Sequence, residues 1–281
     1  MPIDLHVHSD ASDGTLTPVE VVEEAISRGL TAIGIVDHDT MRGLPSAAEA
    51  AEGRITFIPG VEISTQIKNA EMHILGYLMD QDYQPLLDEL QHVREERIAR
   101  IHRTVTRLQE LAVRITFDDI VAACENVTPE HCEDEAALGR PHVAAALVRN
   151  GAVRTPAEAF DRYLRRGRPA YVDRYRAEPE QAIGLIREAG GIAVLAHPGL
   201  MHRDGIIPTL VEQGLGGLEA YHVAHSPSIT KRYVAMAETL GLLVTGGTDS
   251  HGPRGTTPVE IGSVAVPDEV AQRLLEWKAG H

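Results

Sequence analysis

Aromatic residues are scarce: three Phe, one Trp and seven Tyr make up 4% of 281 residues. That shortage argues against an extended platform for single-stranded nucleic acid, which stacks successive bases on aromatic faces. Tyr171, Tyr175 and Tyr221 are enough to hold one base. Cysteine is nearly absent. Cys124 and Cys132 do not make a disulfide scaffold, and a structural zinc knuckle needs four ligands at tight spacing. A reducing, cytoplasmic setting is therefore expected. No apolar run approaches the ~20 residues of a membrane span. His6 and His8 interrupt the stretch where a secretory signal would need its apolar core. Positive charge is also short, with 26 Lys and Arg against 41 Asp and Glu, a net of −15. A uniformly acidic surface repels nucleic acid at long range.

The charge is not uniform. Residues 80–180 carry 15 arginines and no lysine against 19 acids. Arginine reads phosphate bidentately, so this skew points to phosphorylated substrates. The run from Arg94 to Arg103 is better read as a solvated helix face with i,i+4 Glu–Arg pairs. The cluster Arg162, Arg165, Arg166 and Arg168 is likewise read as surface.

Apolar runs alternate with capped helix signals at both ends of the chain. Strands are expected at 3–6, 31–36, 55–58, 70–78, 192–196, 217–221, 242–246 and 260–266. Helices are expected from Thr17-Pro18 to Gly29, over 44–52, 179–188, about 205–213 and 228–240, and from Asp268. Alternation of this kind predicts a mostly parallel sheet. Residues 85–165 differ. An amphipathic helix is expected over 86–111 (Leu90, Val93, Ile98, Ile101, Val105, Leu108), followed by helices at 117–125, 141–149 and 156–164. The expected organisation is an α/β barrel over 1–80 and 180–281, with an all-α insertion over 81–179 capping the active site.

Metal-binding side chains close these apolar runs. His6 and His8 are two apart on a strand, so both imidazoles face one way. Asp13, His38, Glu62, His73, His197, Asp249 and His251 follow, each placed at the C-terminal end of a strand, where barrel enzymes carry their active sites. A lone histidine on an apolar strand is usually a satisfied core residue. Six histidines with three carboxylates at equivalent positions instead describe a polynuclear metal centre. Mixed His and Asp/Glu donors suit Mn²⁺, Zn²⁺ or Fe²⁺, and two or three divalent cations are expected, Mn²⁺ first.

The segments His6-Val-His8-Ser-Asp-Ala-Ser-Asp13-Gly14-Thr, Asp37-His38-Asp39 and Gly246-Gly-Thr-Asp249-Ser-His251 resemble the PHP family, the polymerase and histidinol phosphatase group. The resemblance is strong over 1–80 and 190–265. It implies a distorted (β/α)7 barrel and a metal-dependent phosphoesterase. It also implies a ligand assignment: His6, His8, Glu62 and Asp249 for a first ion; Glu62, His73 and His197 for a second; Asp13, His38 and His251 for a third. Many members carry histidine where this chain has Asp13, a harder, anionic ligand. Gly139-Arg140-Pro141-His142 resembles the insertion of a subgroup that removes the 3′-phosphate of nucleoside 3′,5′-bisphosphates, some of whose members trim RNA from the 5′ end.

Clustered divalent ions neutralise a phosphate dianion and lower the pKa of a bridging water from 15.7 towards ~7. The leaving alkoxide then needs a proton. His222 and His225, after the strand at 217–221, are the candidates by position. Arg140 and His142 are expected to grip a second phosphate, with His202 and Arg203 close in sequence to His197. The expected partner is a small phosphorylated nucleotide, with short 5′-phosphorylated RNA as a relative substrate. No membrane and no obligate protein partner are expected. The alternatives are a histidinol-phosphate-type phosphatase with a single anion site, an amidohydrolase acting on neutral carbonyls, and a catalytically silent metal-binding module.

Overall fold

The computed structural model describes residues 2–67, 70–124, 138–255 and 258–281, so Cys132 lies outside the described residues. Two compact units form: Met1–Leu90 with Arg176–His281, and Gln91–Tyr175.

The first unit holds a seven-stranded sheet in chain order: β1 (Ile3–Val7), β2 (Ala32–Ile35), β3 (Thr56–Ile67), β4 (Ala70–Tyr77), β5 (Ile192–Leu195), β6 (Gly217–His222) and β7 (Leu243–Gly247). The fold is α/β, a nearly closed (β/α)7-type barrel. Closure comes from β1 and β7: the Asp249 N–H donates to His6 O (2.8 Å) and the His8 N–H to Ser250 O (2.9 Å). Gly247 permits that approach, because a Cβ there would lie 2.4 Å from the backbone N of His6.

Pairing is parallel for β1–β2, β2–β3, β5–β6 and β6–β7, and antiparallel for β3–β4 and β4–β5. The strands at 55–58 and 70–78 are therefore not successive βα units. β3 runs on to Ile67 and pairs directly with β4. As a result Glu62 and His73 lie inside strands rather than at strand ends. The strand expected at 260–266 is also absent. Gly262 takes a positive φ of 76° and its N–H turns inward to Asp4 (2.8 Å), leaving a single bridge between Ile3 and Val266.

Helices α1 (Pro18–Ser27), α2 (Leu44–Ala51), α7 (Pro179–Glu188), α9 (Ile207–Glu212), α10 (Pro227–Leu240) and α11 (Glu269–Ala279) belong to this unit, with the short α8 (Pro198–Met201). α1 starts on a capping box, Thr17 with Glu20, and Pro18 fills the first turn. α10 starts on Ser226 and ends on Gly241 in the left-handed region. Their apolar faces bury Val21, Val22, Ala25, Ile183, Ile186, Tyr233 and Ala237 against the outer face of the sheet, in one core with Ile33, Ile63 and Ile74.

Among its described residues the second unit is all-α. α4 (Phe117–Cys124), α5 (Arg140–Arg149) and α6 (Pro156–Ala159), the last continuing as a π turn over Phe160–Leu164, pack with the latter part of α3 (Gln84–Glu110). Its core contains Ile101, Leu108, Ile120, Val143, Leu147 and Leu164.

Candidate metal centre

Nine donors converge at one mouth of the barrel: His6, Glu62 and His73 within β1, β3 and β4, and the other six on the loops after β1, β2, β5 and β7. The Nε2 atoms of His6 and His8 face each other at 3.2 Å. Glu62 Oε2 lies 3.4 and 3.1 Å from them, and Asp249 Oδ1 lies 3.4 and 3.2 Å away. These four residues form one donor group. Glu62 also faces His38 Nδ1 (3.3 Å) and His73 Nδ1 (2.8 Å), making a second group, while His197 Nε2 lies 3.1 Å from Glu62 Oε1 outside the three groups. His8, Asp13, His38 and His251 form a third, with His251 Nε2 3.3 Å from Asp13 Oδ1. All nine donors named from the sequence are thus near one another, but His38 belongs to both the second and the third group, and His197 joins them only through its approach to Glu62.

The donor set fits divalent metal. His8 Nδ1, His38 Nδ1, His73 Nε2 and His197 Nδ1 are buried without a hydrogen-bond partner. Buried polar atoms are normally paired, so open imidazole nitrogens beside buried carboxylates call for a partner. Cations held among these donors would supply one. Borderline ions accept such mixed nitrogen and oxygen sets.

Charge is balanced tightly here. Burial disfavours every ionised form, and at His38 it wins, holding the pKa at about 4. At His8 burial is outweighed by hydrogen bonds to Asp249 and Glu62, and the pKa rises to about 10. His73 is likewise raised to about 9 against burial by Glu62 and Glu71. Despite their own burial, Glu62 and Asp249 are held well below the usual carboxylate range by the histidines around them. The same contacts would hold metal in place of protons.

Buried acids brace the loops that carry the donors. Asp4 Oδ1 accepts from the Thr248 N–H (2.9 Å) and Oδ2 from Thr248 Oγ1 (2.6 Å), fixing the residue before Asp249. Asp37 accepts from the Ser9 N–H (2.7 Å), Ser9 Oγ (2.6 Å) and Ser12 Oγ (2.6 Å), shaping the turn to Asp13. Asp39 accepts from the Ser64 N–H (2.9 Å) and hydroxyl (3.1 Å), next to Glu62 on β3. Burial raises the Asp4 and Asp37 carboxyls against these bonds. Glu219, fully buried on β6, accepts from His6 Nδ1 and from the His197 N–H. Sequence reasoning passed over Asp4 and Glu219. The one available signal was an acid inside an apolar strand, Leu218-Glu219-Ala220.

The two proton-donor candidates separate. His225 Nδ1 donates to Ala220 O (2.9 Å) and its Nε2 accepts from the Gly199 N–H (3.1 Å), so both ring nitrogens are committed to backbone. His222 Nδ1 accepts from the Ala224 N–H (3.1 Å), which leaves the proton of the neutral ring on Nε2. That Nε2 has no hydrogen-bond partner and lies 3.5 Å from Asp249 Oδ2. His202 and Arg203 are exposed on the loop after α8 and belong to none of the donor groups. In the second unit, His142 Nδ1 accepts from the Gly139 N–H (3.0 Å) and the Arg140 guanidinium lies 5.6 Å from the Tyr171 ring centroid.

The model of the PHP domain matches residues 4–165. The chain belongs to the PHP family. It is 36% identical over 260 residues to a 3′,5′-nucleoside bisphosphate phosphatase of Chromobacterium violaceum, covering 89% of this chain and 87% of that protein. It is 32% identical to the 5′-3′ exoribonuclease Rnm of Salmonella typhimurium, covering 89% and 85%. A solved structure of a metal-dependent phosphoesterase from Bifidobacterium adolescentis superposes with a TM-score of 0.79 at 31% identity, covering 98% of this chain and 97% of that one. As a PHP protein this chain is a phosphoester hydrolase, and its donor clusters agree with metal dependence. Among the described residues, no helix is long and apolar enough to cross a membrane.

Proposed function

We propose that this PHP enzyme is a Mn²⁺-dependent phosphoesterase that removes the 3′-phosphate of nucleoside 3′,5′-bisphosphates. The observation that carries the reading is the 36% identity to a phosphatase of that name over most of both chains. The three overlapping donor groups suit the chemistry. His6, His8, Glu62 and Asp249 would hold one ion, Glu62, His73 and His197 a second, and Asp13, His38 and His251 a third. When bound, such ions neutralise the phosphate dianion and lower the pKa of a bridging water towards ~7. His222 supplies the other requirement. Its Nδ1 accepts from the Ala224 N–H, so the neutral ring carries its proton on Nε2, where it can donate a hydrogen bond to the developing 3′-alkoxide as water supplies the proton. Asp249 Oδ2 lies 3.5 Å from that nitrogen.

Arg140 and His142 bind the 5′-phosphate in this reading, and His202 with Arg203 offer further hydrogen-bond donors on the loop after His197. The helical segment 81–179 serves as the substrate-selecting insertion of the barrel. Trimming of short 5′-phosphorylated RNA is a second activity in this reading, favoured by the similarity to the exoribonuclease. The test is phosphate release with Mn²⁺ from adenosine 3′,5′-bisphosphate, adenosine 5′-monophosphate, histidinol phosphate and a 5′-phosphorylated oligoribonucleotide. The bisphosphate should give the highest kcat/KM. Preference for histidinol phosphate would overturn the assignment.

A further inference from the structure

We infer that Glu219 is a positioning residue that sets the tautomer of His6 and the backbone of His197, so that one buried carboxylate prepares two donors of the metal centre. The inference rests on the metal reading of those donors. Glu219 is fully buried on β6 and belongs to none of the donor groups. Its two oxygens are used separately. Oε1 lies 2.8 Å from His6 Nδ1, and Oε2 accepts from the His197 N–H at 2.7 Å.

The first contact decides where the proton of His6 sits. A carboxylate only accepts, so Nδ1 must donate, and in the neutral ring, the form that binds a cation, Nε2 carries the lone pair. That lone pair points at His8 Nε2, Glu62 and Asp249, the side on which a cation would lie. The second contact acts on geometry. His197 has φ 28° and ψ 55°, a left-handed conformation that a non-glycine residue adopts at a cost. Glu219 takes up the N–H of that turn, which otherwise would be buried with no partner. Metal-binding histidines commonly lean on a carboxylate in this way, and losing it typically costs 10- to 100-fold in metal affinity.

Glu219→Gln separates the two jobs while keeping the shape. An amide has one acceptor and one donor end. If its oxygen stays on the His197 N–H, its NH₂ faces His6 Nδ1. The proton of His6 then moves to Nε2 and the lone pair turns away from the other donors. If the amide flips, its NH₂ meets the His197 N–H and the turn loses its acceptor.

Mn²⁺ binding to EDTA-treated protein, followed by the electron paramagnetic resonance signal of free Mn²⁺, tests this directly. Glu219→Gln should bind at least one equivalent about 10- to 100-fold more weakly than wild type. Circular dichroism of the metal-free proteins should superpose. Ring ¹⁵N spectra of wild type loaded with Zn²⁺, with His6 assigned by its loss in His6→Asn, should show the His6 proton on Nδ1. Those spectra decide the matter even if the variant fails to fold. Equal Mn²⁺ affinity in the variant, or a His6 proton on Nε2, overturns the role of Glu219 and leaves the metal reading intact. Wild type that binds no Mn²⁺ would overturn the metal reading itself.

Discussion

Glu62→Gln is the most informative single change, because Glu62 is shared by two of the three donor groups. Its Oε2 faces His6, His8 and His38 at 3.1 to 3.4 Å, and its Oε1 faces His73 and His197 at 2.8 and 3.1 Å. The amide keeps an oxygen towards His73 and His197 but turns an NH₂ towards the other three. It would donate towards His8 Nε2 and the open His38 Nδ1. Metal binding to the first and second groups should fail together. The third group, which does not use Glu62, should persist. An ion present at 100 times its Kd stabilises the fold by about 2.7 kcal/mol. For a protein of this size each kcal/mol moves Tm by roughly 2–4 °C. Wild type should therefore gain about 5–11 °C per bound ion on adding Mn²⁺, and Glu62→Gln should lose the share of two ions. Differential scanning fluorimetry with and without Mn²⁺, beside metal analysis after dialysis, measures both quantities. If the variant retained all bound metal and the full thermal shift, Glu62 would not be the shared ligand and the proposed centre would be wrong.

His222→Asn should lower kcat by about 10² to 10⁴ for a nucleotide ester but far less for p-nitrophenyl phosphate, whose leaving group needs no proton. Equal slowing of both would remove His222 from that role. Arg140→Ala should raise KM for a nucleoside bisphosphate well above its effect on a monophosphate, measured in parallel kinetics, and equal losses would reject a second-phosphate contact. The metal-free protein should lose stability as pH rises. The folded-state pKa values of His8, about 10, and His73, about 9, exceed the ~6.5 of an unfolded histidine. Their contribution is therefore complete below about 6.5 and disappears as pH passes through 9 to 10. Saturating Mn²⁺ should reverse that slope, since metal competes with the same protons. A flat Tm in EDTA between pH 6.5 and 9.5 would contradict the pairing.

Much of the barrel was legible because each strand is a short apolar run ended by Gly, Pro or a helix cap. The donors stood out because histidine and aspartate are costly inside such runs. What was illegible depended on partners distant in sequence. Nothing local shows that β3 continues past Glu62 to meet β4 antiparallel. That pairing forms between residues such as Ser64 and His73, and it puts both donors inside a sheet. Residues 260–266 read as a strand from Val264 and Val266, yet Gly262 is diverted by Asp4, 258 positions earlier. Asp37 and Asp39 sit beside His38 and share its chemistry, and only their bonds to Ser9, Ser12 and Ser64 mark them as braces. His222 and His225 were indistinguishable by position, and the hydrogen-bond partners of their rings separate them.

The claim on which the rest depends is that Glu62 and its neighbours hold clustered divalent ions. A crystal grown with Mn²⁺ and measured at the manganese absorption edge tests it most directly. The anomalous map should show at least two peaks about 3.5–4 Å apart, one on each side of the Glu62 carboxylate. No peak there at saturating Mn²⁺, or a single ion that Glu62 does not touch, would contradict the account.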